Sequence, residues 1–467
     1  MAASQKSRFA LALLFYQRDA IILRKIVNTR SGHLNLSPPG ALALSFFVMI
    51  LLGTLLLKLP FATPTSITLM EALFTATSAV TVTGLIVVET GSDFTLFGQI
   101  VIAILIQFGG LGLMTFAVLT LIAIGGKLGF FHLQVAATAF NQTKLTTVVS
   151  TAKSVLLFTL IVQSIGMLLL FLRWFGPMDF GDALFHSFFY AVSAFNNAGF
   201  ALSPDSLMAY VGDPAINLII TALFISGGLG FVVWMDLYKH RRWHKLSLYS
   251  RLMIASTVII NIIVLMLFLL LEWNNPQTLG PLNAVEKLLA GWFQATTPRT
   301  AGFNTVDTSA YSDGSTVMTL LLMFVGAGSL STASGIKLMT FVVLIMSTYS
   351  FFRQRKDVRL FERAVPEHTI HKAFSLVVMA VMLIWVSFFL LVSTHQINFI
   401  DGIFEVVSAF GTVGLSRGVT DDLNTFGQLL IMFLMFFGRI GPLTLGYMLA
   451  KPKKKKVRYP DAEIPIG

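Results

Sequence analysis

Four short stretches of this chain place a hydroxyl six residues before a glycine. They run from Phe74 to Leu85, Phe189 to Phe200, Trp292 to Phe303 and Phe404 to Leu415. Each opens on an aromatic ring, carries Ser78, Ser193, Thr296 or Ser408 four residues later, and closes on a glycine followed by a large apolar residue. The triplets ending at those glycines are Val82-Thr83-Gly84, Asn197-Ala198-Gly199, Thr300-Ala301-Gly302 and Thr412-Val413-Gly414. Stripping water from a small cation requires replacement oxygens, and backbone carbonyls supply them without net charge. Glycine suits an extended loop with its carbonyls facing inward, because a Cβ would obstruct the backbone angles required. No carboxylate lies within a triplet, so a monovalent cation fits better than a divalent one. The glycines recur at intervals of 115, 103 and 112 residues, which suggests four-fold lining of one hole. For any single loop a turn or packing role would explain the glycine. Four loops in register weigh against that reading.

Delivering such loops to one place requires crossings between them. The chain is 55% hydrophobic and only 12% charged, too apolar for a soluble fold of 467 residues. Spans of about 20 apolar residues cross the hydrocarbon, and they are predicted at 40–57, 96–124, 153–173, 215–238, 252–272, 316–350, 373–393 and 425–449. Eight crossings put both ends on one side. The segments 1–39, 125–153, 239–251, 353–372 and 451–467 hold 26 of the 33 basic residues, so they are expected to be cytoplasmic. A membrane-surface helix is expected over 7–28. The lysine run 453–456 suits anionic lipid headgroups or a cytoplasmic partner better than nucleic acid.

Between paired crossings, 69–80, 182–195, 284–296 and 401–410 are apolar but too short to span, which predicts re-entrant half-helices. They open with Glu71, Asp182, Glu286 and Asp401, acidic residues suited to the positive end of a helix dipole. The predicted fold is an all-α integral membrane protein. Four tandem units of crossing, half-helix, glycine loop and crossing stand in pseudo-four-fold arrangement around one pore. Their bounds are 40–124, 153–238, 250–350 and 373–450, flanked by a cytoplasmic segment 1–39 and a basic cytoplasmic tail 451–467.

The second crossings carry an echo of their own, Gly109-Gly110-Leu111-Gly112, Gly227-Gly228-Leu229-Gly230 and Gly438-Arg439-Ile440-Gly441, read as close helix packing. The third departs from it. Residues 316–350 would span about 52 Å as one helix, and they contain a poor helical run of Gly326, Ala327, Gly328, Ser329, Leu330, Ser331, Thr332, Ala333, Ser334 and Gly335. A helix broken by a flexible loop at mid-membrane is expected there, lining a wet cavity or buried in protein. Arg439 lies mid-span at an insertion cost of roughly 2.5–3.5 kcal/mol, with no acid in its crossing. Its partners must be carbonyls, water or the broken-helix loop, and its role is either an electrostatic barrier or a structural tie. Arg299 is expected either to tune the outer mouth or to form a rim salt bridge.

No cysteine is present, so neither a disulfide nor a thiolate site is available. His240 and His244 sit among Arg241, Arg242 and Lys245, which would repel a metal. No nucleotide-binding motif appears, and no nucleophile or dyad points to an enzyme. Flux must then run on gradients, and an inside-negative potential of about 100 mV supports roughly fifty-fold accumulation of a monovalent cation.

The segment Thr-Val-Thr-Gly-Leu at 81–85 looks like a variant of the potassium-channel filter. The four-unit pattern over about 40–450 resembles the Trk/Ktr/HKT superfamily of potassium transporters, and within it the KtrB type. That resemblance implies potassium uptake, with Gly84 favouring potassium where a serine is associated with sodium. It implies filter glycines at Gly84, Gly199, Gly302 and Gly414, and a gating loop from Gly326 to Gly335 followed by Ile336 and Lys337, with Arg439 beside it. The superfamily tends to have two or three consecutive glycines before Ile-Lys, whereas this chain has Ala333-Ser334-Gly335. The resemblance further implies a homodimer, a KtrA-like nucleotide-binding ring on the cytoplasmic face, sodium as an activator, and residence in a bacterial inner membrane. No covalent cofactor is expected. The alternatives are a sodium-selective member of the superfamily and an alternating-access cation symporter.

Overall fold

The computed structural model describes residues 38–112, 148–328, 331–355, 357–360 and 363–441. The segment 1–37 with its expected surface helix, the distal parts 113–124 and 442–449 of two predicted crossings, Ser329 and the tail 451–467 lie outside the described residues.

Helices follow one another in a recurring order of long, short and medium. The long ones are α1 (Pro38–Leu57), α4 (Val148–Trp174), α8 (Leu248–Glu272) and α12 (Glu367–Thr394); these four are long and apolar enough to cross a membrane. The short ones are α2 (Leu69–Thr81), α5 (Phe180–Asn196), α9 (Ala284–Thr296) and α13 (Phe399–Gly411), within two residues of each predicted half-helix. Their starts are chemically specified. Thr68 with Glu71, and Asn283 with Glu286, form capping boxes that satisfy N–H groups at the first turn. Asp182 and Asp401 place their charge in the first turn of α5 and α13.

The short helices are the centre of the fold. From Phe74 to Thr81, from Phe189 to Asn196 and from Phe404 to Gly411 every residue is buried. The long helices present apolar side chains outward instead, such as Leu55, Leu270 and Phe389. A lipid solvent accounts for this inversion, since apolar surface there needs no covering.

The medium helices depart from expectation. The predicted crossing 215–238 is two helices, α6 (Pro214–Leu229) and α7 (Phe231–His240), bent by 93° at Gly230. The helices α3 (Leu96–Leu111) and α14 (Thr425–Ile440) stop at the equivalent glycines. Gly112, Gly230 and Gly441 share φ of 77°, 91° and 91°, and among the described residues nothing lies within 4 Å of a Cβ built on the first or last of them. The last glycine of each repeat thus terminates a helix in the left-handed region. The first glycine of each does pack, because a Cβ on Gly109, Gly227 or Gly438 would strike the carbonyl oxygen of Val80, Phe195 or Phe410 in the last turn of a short helix.

The third medium helix is broken as expected, into α10 (Asp313–Phe324) and α11 (Leu338–Phe352). Outside the all-α expectation lies a two-stranded antiparallel pairing of Arg359–Leu360 with Arg363–Ala364 in the connection to α12.

Candidate functional site

Each short helix delivers its triplet through a left-handed residue. Val82 (φ 57°), Asn197 (62°), Thr300 (73°) and Thr412 (49°) open the triplets, and Gly84, Gly199, Gly302 and Gly414 close them at 93°, 71°, 79° and 92°. Left-handed backbone is rare for any residue with a Cβ and an outlier for β-branched Val82, Thr300 and Thr412, costing about 1–3 kcal/mol each. The helix ends hold them there. The amide of Val82 donates to Ala79 O and that of Thr83 to Ser78 O, at 3.2 and 2.9 Å, and the same pair of bonds closes α5 and α13.

The four triplets close on one another. A Cβ built on Gly84 would strike the Ala198 oxygen, one on Gly199 would lie 3.1 Å from the Ala301 oxygen, one on Gly302 would strike the Val413 oxygen, and one on Gly414 would strike the Thr83 oxygen. Loop one leans on loop two, two on three, three on four, and four on one. All four glycines line a cavity of about 340 Å³ on one side, together with Asp205 and Asp307 and, among the described residues, with no basic side chain. Beyond the fourth triplet, burial and then the charges of Asp422 and Glu89 raise the Asp421 carboxyl from its ordinary value.

The hydroxyls of the repeated pattern brace the triplets, with one shift from the spacing read in the sequence. Ser78 and Ser408 accept from the amides of Gly84 and Gly414 at 3.0 and 3.2 Å, and Ser193 donates to Phe200 O at 2.8 Å. In the third loop the acting pair is one residue later than expected. Thr297 donates to Phe303 O at 2.5 Å and Phe293 is the buried ring, whereas Thr296 bonds back to its own helix and Trp292 is half-buried. Pro298, lacking an amide hydrogen, follows at once and ends the helix.

A buried carboxyl and a partly exposed arginine lie behind the fourth triplet. Glu405, which sequence reasoning did not single out, is buried behind the fourth loop and accepts from Ser416 (2.8 Å) and Thr420. Its sequence signal is the pair of hydroxyls four residues apart on the far side of the glycine. Arg417, between those hydroxyls, pairs with Asp401 at 2.6 Å and donates to Thr308 O.

Arg299 contradicts both expectations for it. Its side chain is buried, reaches α8 instead of the mouth, and donates to Asn261 Oδ1 at 2.7 Å and to Thr257 Oγ1 at 3.5 Å. Among the described residues it pairs with no carboxylate. The legible signal was Thr257 and Asn261, a polar pair at helical spacing on an apolar crossing. Removing one partner of a buried charge strands it, whereas removing the charge also removes its desolvation cost. Asn261→Leu is therefore expected to destabilise the protein by about 1–3 kcal/mol, more than Arg299→Met does. Thermal unfolding of both variants in detergent checks the order, and a more damaging Arg299→Met overturns it.

The broken-helix loop lies against the triplets and is tied down from several sides. Val325 and Ile336 form a bridge across its base, and Leu338 N donates to Ala327 O at 3.1 Å. Gly328 N and Thr332 N donate to Gly228 O and Gly227 O at the end of α6, at 2.9 and 3.3 Å. Ser331 Oγ donates to Gly328 O at 2.6 Å and Lys337 Nζ to Ala333 O at 2.6 Å. A Cβ on Gly326 would strike the Ser334 oxygen, and one on Gly335 (φ 65°) would sit 3.5 Å from Gly411 Cα. Ala327, Thr332, Ala333 and Ser334 are buried. Arg439 donates to Thr332 O and Ser334 Oγ on the loop, and to Gly109 O and Gly110 O at the end of α3. Carbonyls and the loop satisfy it, as its crossing without acids required. Of the residues singled out from the sequence, the four triplets thus form one cluster and the described part of the loop with Lys337 and Arg439 a second beside it; Arg299 points away from the mouth.

Residues 41–459 match the TrkH family of cation transport proteins. The chain is 47% identical to Ktr system potassium uptake protein B of Bacillus subtilis (strain 168), over 92% of this chain and 97% of that protein. It is 35% identical to the potassium/sodium uptake protein NtpJ of Enterococcus hirae, over 96% and 100%. Its structure resembles the potassium transporter TrkH from Vibrio parahaemolyticus, with a TM-score of 0.71 at 20% identity, covering 90% of this chain and 86% of that one. A match across nearly the whole chain, with the fold to accompany it, makes this protein a member of the TrkH family of cation transport proteins.

Proposed function

We propose that this chain is a potassium uptake subunit that passes K+ down its electrochemical gradient through one pore. Four units of crossing, half-helix, loop and crossing surround that pore, within the bounds 40–124, 153–238, 250–350 and 373–450. The carbonyls of the four triplets replace the water of a desolvated ion. The closed cycle, in which each glycine rests against the next loop's carbonyl, is the observation that carries this reading. A cavity with two carboxylates and no basic lining suits the cation's point of entry. The loop 326–335, with Lys337 and Arg439, acts as the gate below. The names of the relatives support potassium as the cargo.

In the same reading both termini are cytoplasmic in a bacterial inner membrane, two such chains pair as a homodimer, and a KtrA-like nucleotide-binding ring docks on the basic face to set the gate, with sodium as activator. The potassium/sodium naming of one relative favours a second reading, in which sodium is itself carried.

Ion flux from purified protein in liposomes, with potassium, rubidium, sodium and lithium compared, separates the two. Potassium and rubidium are expected to pass well ahead of sodium and lithium. Sodium flux equal to potassium flux would favour the second reading, and absence of any cation flux would refute both.

A further inference from the structure

We propose that the Asn197 side chain and the Thr332 hydroxyl form a latch through which the broken-helix loop sets the shape of the second triplet, so that gating and ion preference are one coupled property. The inference rests on the filter and gate roles proposed above.

The latch is a direct contact between residues 135 apart in sequence. Thr332 Oγ1 donates to Asn197 Oδ1 at 2.8 Å and lies 3.3 Å from Phe195 O, and both side chains are buried. Thr332 is also held at its main chain, where its amide donates to Gly227 O and its carbonyl accepts from Arg439. One residue of the loop therefore touches the first triplet residue of unit two, the end of α6, and the arginine of α14.

Among the described residues the contact is confined to one loop of the four. Val82 has no polar side-chain atom, and the hydroxyls of Thr300 and Thr412 have no hydrogen-bond partner among the described residues. Gly227 makes the room for it. A Cβ there would come within 2.6 Å of Thr332 Oγ1 and 2.9 Å of Asn197 Oδ1, whereas at Gly109 and Gly438 it would meet side-chain methyls of Val82 and Thr412 at 3.0 and 3.2 Å. Two equivalents of Asn197 thus pack by methyl contact against the second crossing, and among the described residues Asn197 is the one opening residue whose side chain bonds to the loop.

Withdrawal of the loop must break this bond. Asn197 would then hold a left-handed backbone (φ 62°) without its tether, and its neighbour Ala198 carries the oxygen against which Gly84 rests. A change in the loop passes in this way from the second triplet to the first.

Asn197→Gly keeps a residue at ease in the left-handed region and deletes only the side chain. Thr332→Val deletes only the donor, and Thr332→Ser retains it. Reconstituted in liposomes under potassium and sodium gradients, Asn197→Gly and Thr332→Val are each expected to raise total flux and lower potassium-over-sodium preference about fivefold, the effect of one buried hydrogen bond. The double variant should be no worse than either single one, the mark of a shared interaction. Thr332→Ser should keep the parent preference. Higher flux with unchanged preference in the single variants, or effects that multiply in the double, overturns the latch. If Thr332→Val does not reach the membrane, Asn197→Gly against Thr332→Ser carries the same decision. Gly84→Ser measured alongside separates the two levels: lost preference there with none lost at the latch refutes only the coupling, and none lost there refutes the filter roles beneath it.

Discussion

Gly84→Ser is expected to lower potassium-over-sodium preference by about tenfold or more, with a smaller effect on membrane abundance. Two strains arrive together. The serine must hold φ near 93°, and its Cβ must displace the Ala198 oxygen and Gly199 Cα of the adjoining loop. Such backbone strain costs about 1–3 kcal/mol, and each 1.4 kcal/mol is a factor of ten in a binding preference. The helix that delivers the loop is anchored elsewhere, through its capping box and its buried face, so the fold has no comparable reason to fail. Uptake by a potassium-transport-deficient strain in the presence of competing sodium, with abundance measured in the same membranes, checks it. Unchanged selectivity at normal abundance would count against the ring as the filter.

Arg439→Ala is expected to raise leak through the closed state roughly ten- to a hundredfold. Its guanidinium joins the loop to the end of α3 through four acceptors, and hydrogen bonds to a charged group contribute about 1.5–3 kcal/mol each. Losing two or more of them would release the loop from its closed position. Arg439→Lys distinguishes the two ways the arginine can act. Lysine keeps the positive charge but not the planar fork that reaches two elements at once. A tight lysine variant would identify the charge as the barrier, and a leaky one would identify the clasp. Flux unaltered in Arg439→Ala, with and without a regulator, would demote the residue to a structural role.

What could be read from the chain divides along physical lines. The triplets and their short helices were legible because local chemistry specifies them: an acid in the first turn, a hydroxyl in the last, and a glycine where the backbone turns left-handed. The break after Phe324 was legible because small and hydroxyl residues make a poor helix anywhere. The stops at Gly112, Gly230 and Gly441 were not, since a glycine inside an apolar run serves packing and termination equally well, and only its backbone angle separates the two. The inward turn of Arg299 depended on Asn261 and Thr257 across the fold. The one-residue shift in the third loop was hidden by two adjacent aromatics and two adjacent threonines, Trp292-Phe293 and Thr296-Thr297, either of which satisfies the pattern. Glu405 escaped notice because its two donors come from beyond the glycine.

The bond from Arg439 to Gly109 spans 330 residues, and the ring of triplets closes only when the fourth lies beside the first. At about 10 residues per second of synthesis, roughly half a minute passes between the emergence of one end and its counterpart. Throughout that interval the early loop stands in the bilayer without a neighbour on one flank. Assembly of the nascent protein is thus timed by its last quarter, and a ribosome that stalls before α13 leaves a product whose ring of triplets is open.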